Sequence, residues 1–267
     1  MKKVFFLVKV IFCSLFALCS CSDTTTDTTD INYPTTIHRL PDETLVRMRN
    51  DYAQRNPYLR YTLNQFGFCG IDTEGGGGVN ALETPAGSFT EEEAIAAVKE
   101  FVARNPEHTG ITNPDDMYFE NITNSTSFDN VYWHFWVKQK EINNIEFFNT
   151  GIVFHIINRG VYLCWGNHFP NVYVPEKFNF TVEQAKSKLL GKKVFHSGWT
   201  GQFSLGKVTL NDLQECTTNL IIIPVTAEEK IELYVTWKIH FNQPLHYIYY
   251  IDVMTGKIIQ EEQTLIY

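Results

Sequence analysis

Few residues in this sequence stand in the combinations that perform chemistry. His196 precedes Ser197 in the stretch FHSGWTG at 195–201. A nucleophile and its base meet across a fold rather than as chain neighbours, and no Gly-x-Ser-x-Gly turn is present to expose a serine. The run EGGGGVN at 74–80 lacks the Lys-Ser/Thr pair of a phosphate-binding loop and opens no helix, so it reads as a connector. The eight histidines are scattered, and no His-Glu-x-x-His places two imidazoles one helical turn apart to hold zinc. His134 and His155 fall on strand-like runs and are expected to face each other as packed sheet histidines rather than as metal ligands. The expectation is a non-enzymatic chain with no catalytic residues, no metal and no cofactor.

The one residue marked for chemistry is a cysteine. Lys2, Lys3 and Lys9 flank an apolar run too short to span a bilayer comfortably but suited to the core of a signal peptide. Leu18-Cys19-Ser20-Cys21 resembles the lipobox of bacterial lipoproteins, which predicts cleavage after residue 20 and lipidation of Cys21. Bulky Leu18 would sit where the peptidase wants a small residue if Cys19 were the site. Acyl chains on Cys21 would hold the remainder on a membrane. Removing three lysines leaves 19 of the 22 basic side chains against 30 acidic ones, a net charge near −11. That charge argues against nucleic acid and anionic headgroups as partners. Residues 21–36 are an acidic Thr/Asp-rich tether that cannot bury enough apolar surface to fold. Ser22-Asp23 resembles an outer-surface signal, which points to the bacterial outer membrane, facing periplasm or cell surface. Cys69, Cys164 and Cys216 remain; an odd count allows one disulfide and a free thiol or three free thiols. Cys164 lies in strand-like GVYLCWG and reads as a small buried hydrophobe.

The elements that would position any site follow a repeat. SFTEEEA at 88–94 and NFTVEQA at 179–185 each place a Thr cap three residues before Glu93 or Gln184, with Phe one residue ahead of the cap. That is a capping box with a hydrophobic staple. The first helix runs toward Pro106 with Ile95, Val98, Phe101 and Val102 on one face; the second spans 181–190 and stops at Gly191. Strand-like runs follow near 117–123, 131–139, 150–157 and 160–165, and again near 205–210, 219–225, 231–240, 246–253 and 257–264. The stretch YIYYIDVMTGKIIQ at 247–260 reads as a hairpin with Ile248, Tyr250 and Val253 on one face and a turn at Thr255-Gly256. Ahead of the repeat, 41–57 reads as a helix and 58–72 as a strand. The expected fold is α+β: two units, each an antiparallel sheet packed on one face by a helix, at 88–175 and 176–267, after a helix-strand extension at 37–87.

From Trp133 to His168 the chain presents a strand ending in Gln139, a turn at Asn143-Asn144, an apolar step through Ile145, Phe147 and Phe148, a strand with His155, and a return strand to Gly166. This resembles the fungalysin/thermolysin propeptide motif, and the helix at 181–190 with the strands beyond it resembles the PepSY-like second half of the same propeptides. In that family the region assists folding of a zinc metalloprotease and blocks its cleft. Here only EEQTLIY follows the last hairpin, so the resemblance implies a stand-alone protein-interaction or protease-inhibitory module that meets a metalloprotease or other envelope protein through Ile145, Phe147 and Phe148. The alternative is a structural or glycan-associated envelope component using Trp165, Trp199 and Tyr249.

Overall fold

The computed structural model describes residues 32–264 apart from 58, 61, 71–88, 128–129, 158–159 and 199–200. Cys21, most of the tether and the Gly75–Gly78 run lie outside the described residues. What is described is a mixed α+β fold. In chain order it runs β1 (Thr35–His38), α1 (Asp42–Arg55), α2 (Glu91–Arg104), α3 (Pro106–Thr109), β2 (Tyr118–Ser127), β3 (Asn130–Lys138), β4 (Glu146–Phe147), β5 (Gly151–Ile157), β6 (Gly160–Asn167) and α4 (Val182–Ser187). It continues with β7 (Lys193–Gly198), β8 (Gly201–Lys207), α5 (Leu210–Glu215), β9 (Thr217–Thr226), β10 (Lys230–Phe241), β11 (Tyr247–Asp252) and β12 (Ile258–Gln263).

The helices start where their caps direct. The Thr90 hydroxyl accepts from the Glu93 amide at 3.3 Å while the Glu93 carboxylate accepts from the Thr90 amide at 3.0 Å. Thr181 and Gln184 repeat the exchange at 3.3 and 2.8 Å. Beyond its cap α2 buries Ala94, Val98, Phe101 and Val102. It ends at Asn105, ahead of Pro106. The second helix is shorter than the expected 181–190, because regular winding ends at Ser187 and the chain turns through Leu189 to Gly191, which has φ +76°. A third capping box joins Thr209 to Asp212 and starts α5, so the strand expected over 205–210 ends at Lys207 and becomes a helix.

The described strands form two large sheets and a separate two-stranded one, β7-β8. The first is antiparallel in the order β2-β3-β5-β6, with α1 and α2 on its inner face. Tyr52 of α1, Phe101 of α2 and Phe154 of β5 meet there as consecutive edge-to-face ring pairs. The second runs β12-β11-β10-β9-β4, with β1 also paired to β10. One end of its core face packs on α4 and α5 through Ala185, Leu189 and Leu213; the other packs on Phe147, Phe169 and Val172. Between the segments of β10 that pair with β1 and β11 stands Val235. Its amide donates to the Tyr33 hydroxyl at 3.0 Å, and that hydroxyl donates to the Asp252 carboxylate, so a phenol fills the gap in the sheet edge. Burial, then the neighbouring carboxylate, pushes the Tyr33 phenol far above its ordinary value.

Three expectations change. The second sheet is not purely antiparallel, because β4 pairs parallel to β9. The strand expected over 58–72 is, in its described residues, a turn closed by a single Leu63–Cys69 bridge. The cause is Asn64, whose side-chain oxygen accepts from the amides of Phe66 and Phe68, with Gly67 at φ +83° completing the bend. The terminal hairpin forms as expected, its turn organised by the Asp252 carboxylate, which accepts from the Thr255 amide at 3.0 Å. Its alternation does not hold: Tyr249, Tyr250 and Ile251 are all buried, so the strand is covered on both faces.

Replacing Thr90 or Thr181 with Ala is expected to lower the unfolding free energy by about 1 kcal/mol in each case, the usual cost of losing a helix cap. Urea denaturation of each variant measures it, and an unchanged midpoint would mean that the caps do not hold these helices.

Candidate functional site

The segment expected to meet a partner leaves β3 at Lys138. Buried Gln139 anchors it: its side-chain amide donates to the Phe169 carbonyl at 2.8 Å and its side-chain oxygen accepts from the Phe169 amide at 3.0 Å. Asn143 and Asn144 turn the chain with φ of +52° and +60°, the left-handed pair required of a two-residue hairpin loop, and Ile142 and Ile145 exchange backbone bonds at 3.1 and 2.9 Å across it. Then β4 docks beside β9, Phe147 opposite Ile222, and the Phe148 amide donates to the Ile222 carbonyl at 2.8 Å. Side chains alternate along a strand, so Phe147 and Phe148 straddle β9. Phe147 enters the core with Ile145, each 5% exposed, and Phe148 lies on the other face, its ring 5.3 Å from that of Tyr250. Of the three residues expected to meet a partner, two are therefore buried and the third is half-buried. All three pack against the protein's own second sheet, Ile145 and Phe147 fully and Phe148 in part.

The outer face of the first sheet is different. Its register places Asn121, Trp136, Val153 and Trp165 in one row across four strands, and Thr123, His134, His155 and Leu163 in the next. Tyr132 and Ile157 follow. All the aromatic side chains in these rows are half-buried, turned away from the helices. The His134 and His155 rings pack edge to face with centroids 4.2 Å apart, and the Trp165 indole lies 5.0 Å from His155. Trp136 lies against Gly151: a Cβ there would come within 2.7 Å of the indole, so only glycine lets the ring lie this close. Burial and the adjacent His134 lower the pKa of His155 to about 4, so the His155 imidazole is neutral at pH 7. Among the described residues no three His, Cys, Asp or Glu side chains are placed to hold a metal ion.

The remaining candidates separate. His196 and Ser197 sit in succession on β7, facing Phe203 and Gln202 of β8 in the register. Cys69, Cys164 and Cys216 are free thiols; Cys69 and Cys164 are buried in the helix-facing core, and burial pushes the Cys164 thiol well above its ordinary value. Tyr249 is 1% exposed and serves the core, Trp165 lies on the outer face, and Trp199 and Cys21 lie outside the described residues.

Sequence reasoning missed the junction of α1 and α2. Asn56 and Asn105 cap the two helix ends and exchange side-chain amide bonds at 3.0 and 3.2 Å, while the Arg55 guanidinium reaches the Arg104 carbonyl, Glu107 and the buried His108. The repeated Arg-Asn-Pro at 55–57 and 104–106 was the available signal. Also unforeseen were two clefts lined by residues from both large sheets or the segments beside them. One, of ≈ 490 Å³, is lined mainly by apolar side chains including Ile37, Phe68, Phe169 and Leu233; the other, of ≈ 370 Å³, opens beside Thr150 and Asn167. Comparison with protein-family models and with curated proteins gives no match.

The lowered His155 pKa has a sign. Unfolded, this imidazole titrates near 6.5, so between that pH and about 4 the unfolded chain binds the extra proton and the folded state loses stability as pH falls. Buried His108 and His168, whose pKa values are also lowered chiefly by burial, act in the same direction. The melting temperature is expected to be flat between pH 7 and 8 and to fall between pH 6.5 and 4, with a shallower fall in His155→Gln. A profile identical in that variant would remove His155 from the account.

Proposed function

We propose that this chain is a non-catalytic binding protein of a bacterial cell envelope, anchored to the outer membrane by lipid on Cys21, with glycan as its ligand. Its scaffold is a propeptide-like pair of units, 88–175 and 176–267, adapted to present a surface. Capped helices at Thr90 and Thr181, each followed by strands in the family's order, support that reading of the scaffold.

The observation that carries the function is the outer face of the first sheet, with Trp136, Trp165, Tyr132 and the His134–His155 pair side by side and half-exposed. Aromatic rings of this kind offer large apolar area with little conformational freedom to lose, which makes them anchors for ligands with one flat apolar side. A sugar ring has such a side. The protease-inhibitory role implied by the resemblance needs Ile145, Phe147 and Phe148 free, and all three are packed against the second sheet.

A protein partner remains as a second reading because of β2. Tyr118–Ser127 is the terminal strand of its sheet, with most of its described side chains exposed, and an extended segment of a protease or another envelope protein can add a strand at such an edge.

The test is binding of the purified chain to isolated envelope polysaccharide and, in parallel, to a panel of envelope metalloproteases. Polysaccharide is expected to bind, and Trp136→Ala and Trp165→Ala are each expected to weaken it by about tenfold, or about 1.4 kcal/mol. Binding to a protease alone, unaffected by either tryptophan, would overturn the glycan reading in favour of the strand edge.

A further inference from the structure

Among the described residues two buried side-chain atoms have no hydrogen-bond partner: the hydroxyl oxygen of Thr150 and the amide nitrogen of Asn167. Both belong to residues lining the ≈ 370 Å³ cleft at the seam. Thr150 is only 6% exposed. Leaving a buried polar group unpaired costs about 1–3 kcal/mol, and two such groups at one cleft mark a place where a ligand or ordered solvent completes the bonding.

The chemistry of the cleft restricts that ligand. Around Thr150 and Asn167 stand the Asn149 amide, the Thr226 hydroxyl and the Phe169 ring, and no charged side chain lines the space. A charged ligand would lose its hydration with nothing to offset it, and the formal net charge of −8 further disfavours an anion. Amides, hydroxyls and an aromatic ring without charge suit a neutral molecule that carries many hydroxyls on an apolar ring.

Two residues of the cleft, Gly151 and Asn167, also adjoin the aromatic face in the strand register. In the register Gly151 pairs with both Lys138 and Asn167, forming the row immediately beyond Trp136, Val153 and Trp165 on the same side of the sheet. Lys138 in that row is engaged by Glu120 and Glu146 at 3.8 and 3.9 Å. The Trp136 indole leans over Gly151 toward this row.

We propose that the cleft and the adjoining indoles form a single site for a neutral oligosaccharide. One sugar ring is seated in the cleft, its hydroxyls pairing with the Thr150 hydroxyl and the Asn167 amide, and the next ring extends over Trp136 or Trp165. This deepens the glycan reading and rests on it.

The probes are neutral di- and trisaccharides of glucose, galactose, mannose and N-acetylglucosamine, with a glucuronic-acid disaccharide as the charged comparison, titrated calorimetrically into the purified full chain. At least one neutral probe is expected to bind, and Thr150→Val and Asn167→Asp are each expected to weaken it by about tenfold. The Thr150 hydroxyl has no partner to lose, so the valine variant is expected to unfold at the wild-type midpoint or above it, which separates a binding defect from a folding defect. If a neutral probe binds, loses affinity in Trp136→Ala, and is unaffected by the two cleft variants, the cleft site is overturned while the aromatic-face reading stands. Binding of only the charged probe also overturns the proposal. If no probe binds while envelope polysaccharide does, the short-saccharide cleft is overturned alone; if neither binds, both readings are.

Discussion

Two residues of β4, Glu146 and Phe147, lie parallel to β9, and the rest of the structure depends on this short contact. It is made by the connection between β3 and β5, neighbouring strands of the first sheet, which leaves that sheet, becomes the edge of the second and returns. So short a pairing contributes few backbone bonds. The stabilisation comes from the phenylalanines on either side of β9: Phe147 joins Ile222, Leu233 and Val235, and Phe148 covers Ile221, Ile223 and Tyr250. Burying a side chain of this size contributes roughly 1.5–3 kcal/mol. From the other end of the chain β1 is laced onto β10, with Tyr33 closing the gap beside it. The second sheet therefore takes in two strands, β1 and β4, that lie in sequence before or within the first sheet's own segment.

This decides which surface is left for function. The inner face of the first sheet is occupied by α1 and α2, and the core face of the second by α4, α5 and the clasp. The outer face of the first sheet keeps its aromatic rows half-exposed, and the clasp brings Pro224, Thr226 and Ile231 of the second sheet to its end, where they complete a cleft with Thr150 and Asn167. The same contact that removes Phe147 from any partner creates the concavity next to the indoles.

What the sequence disclosed was local in origin. The boxes at Thr90 and Thr181, the Asn143-Asn144 turn, the antiparallel strands and the facing of His134 and His155 all rest on neighbours or on strand period, and all are present. The box at Thr209 was equally local but lay inside a run read as strand. The clasp could not be read, because Phe147 and Ile222 are far apart in the chain and no periodicity links them. An apolar loop segment looks the same whether it will meet another protein or its own second sheet. Tyr249 misled for the same reason, since alternation shows which side a residue takes but not whether that side is covered.

Urea unfolding of Phe147→Ala tests the clasp most directly. A loss of about 3–5 kcal/mol is expected, the cost of truncating a buried phenylalanine, with the outer aromatic face still able to bind wherever the variant remains folded. A loss below about 0.5 kcal/mol, the range of an ordinary surface substitution, together with abolished binding of a protein partner, would contradict it and return 142–149 to the role of a docking loop.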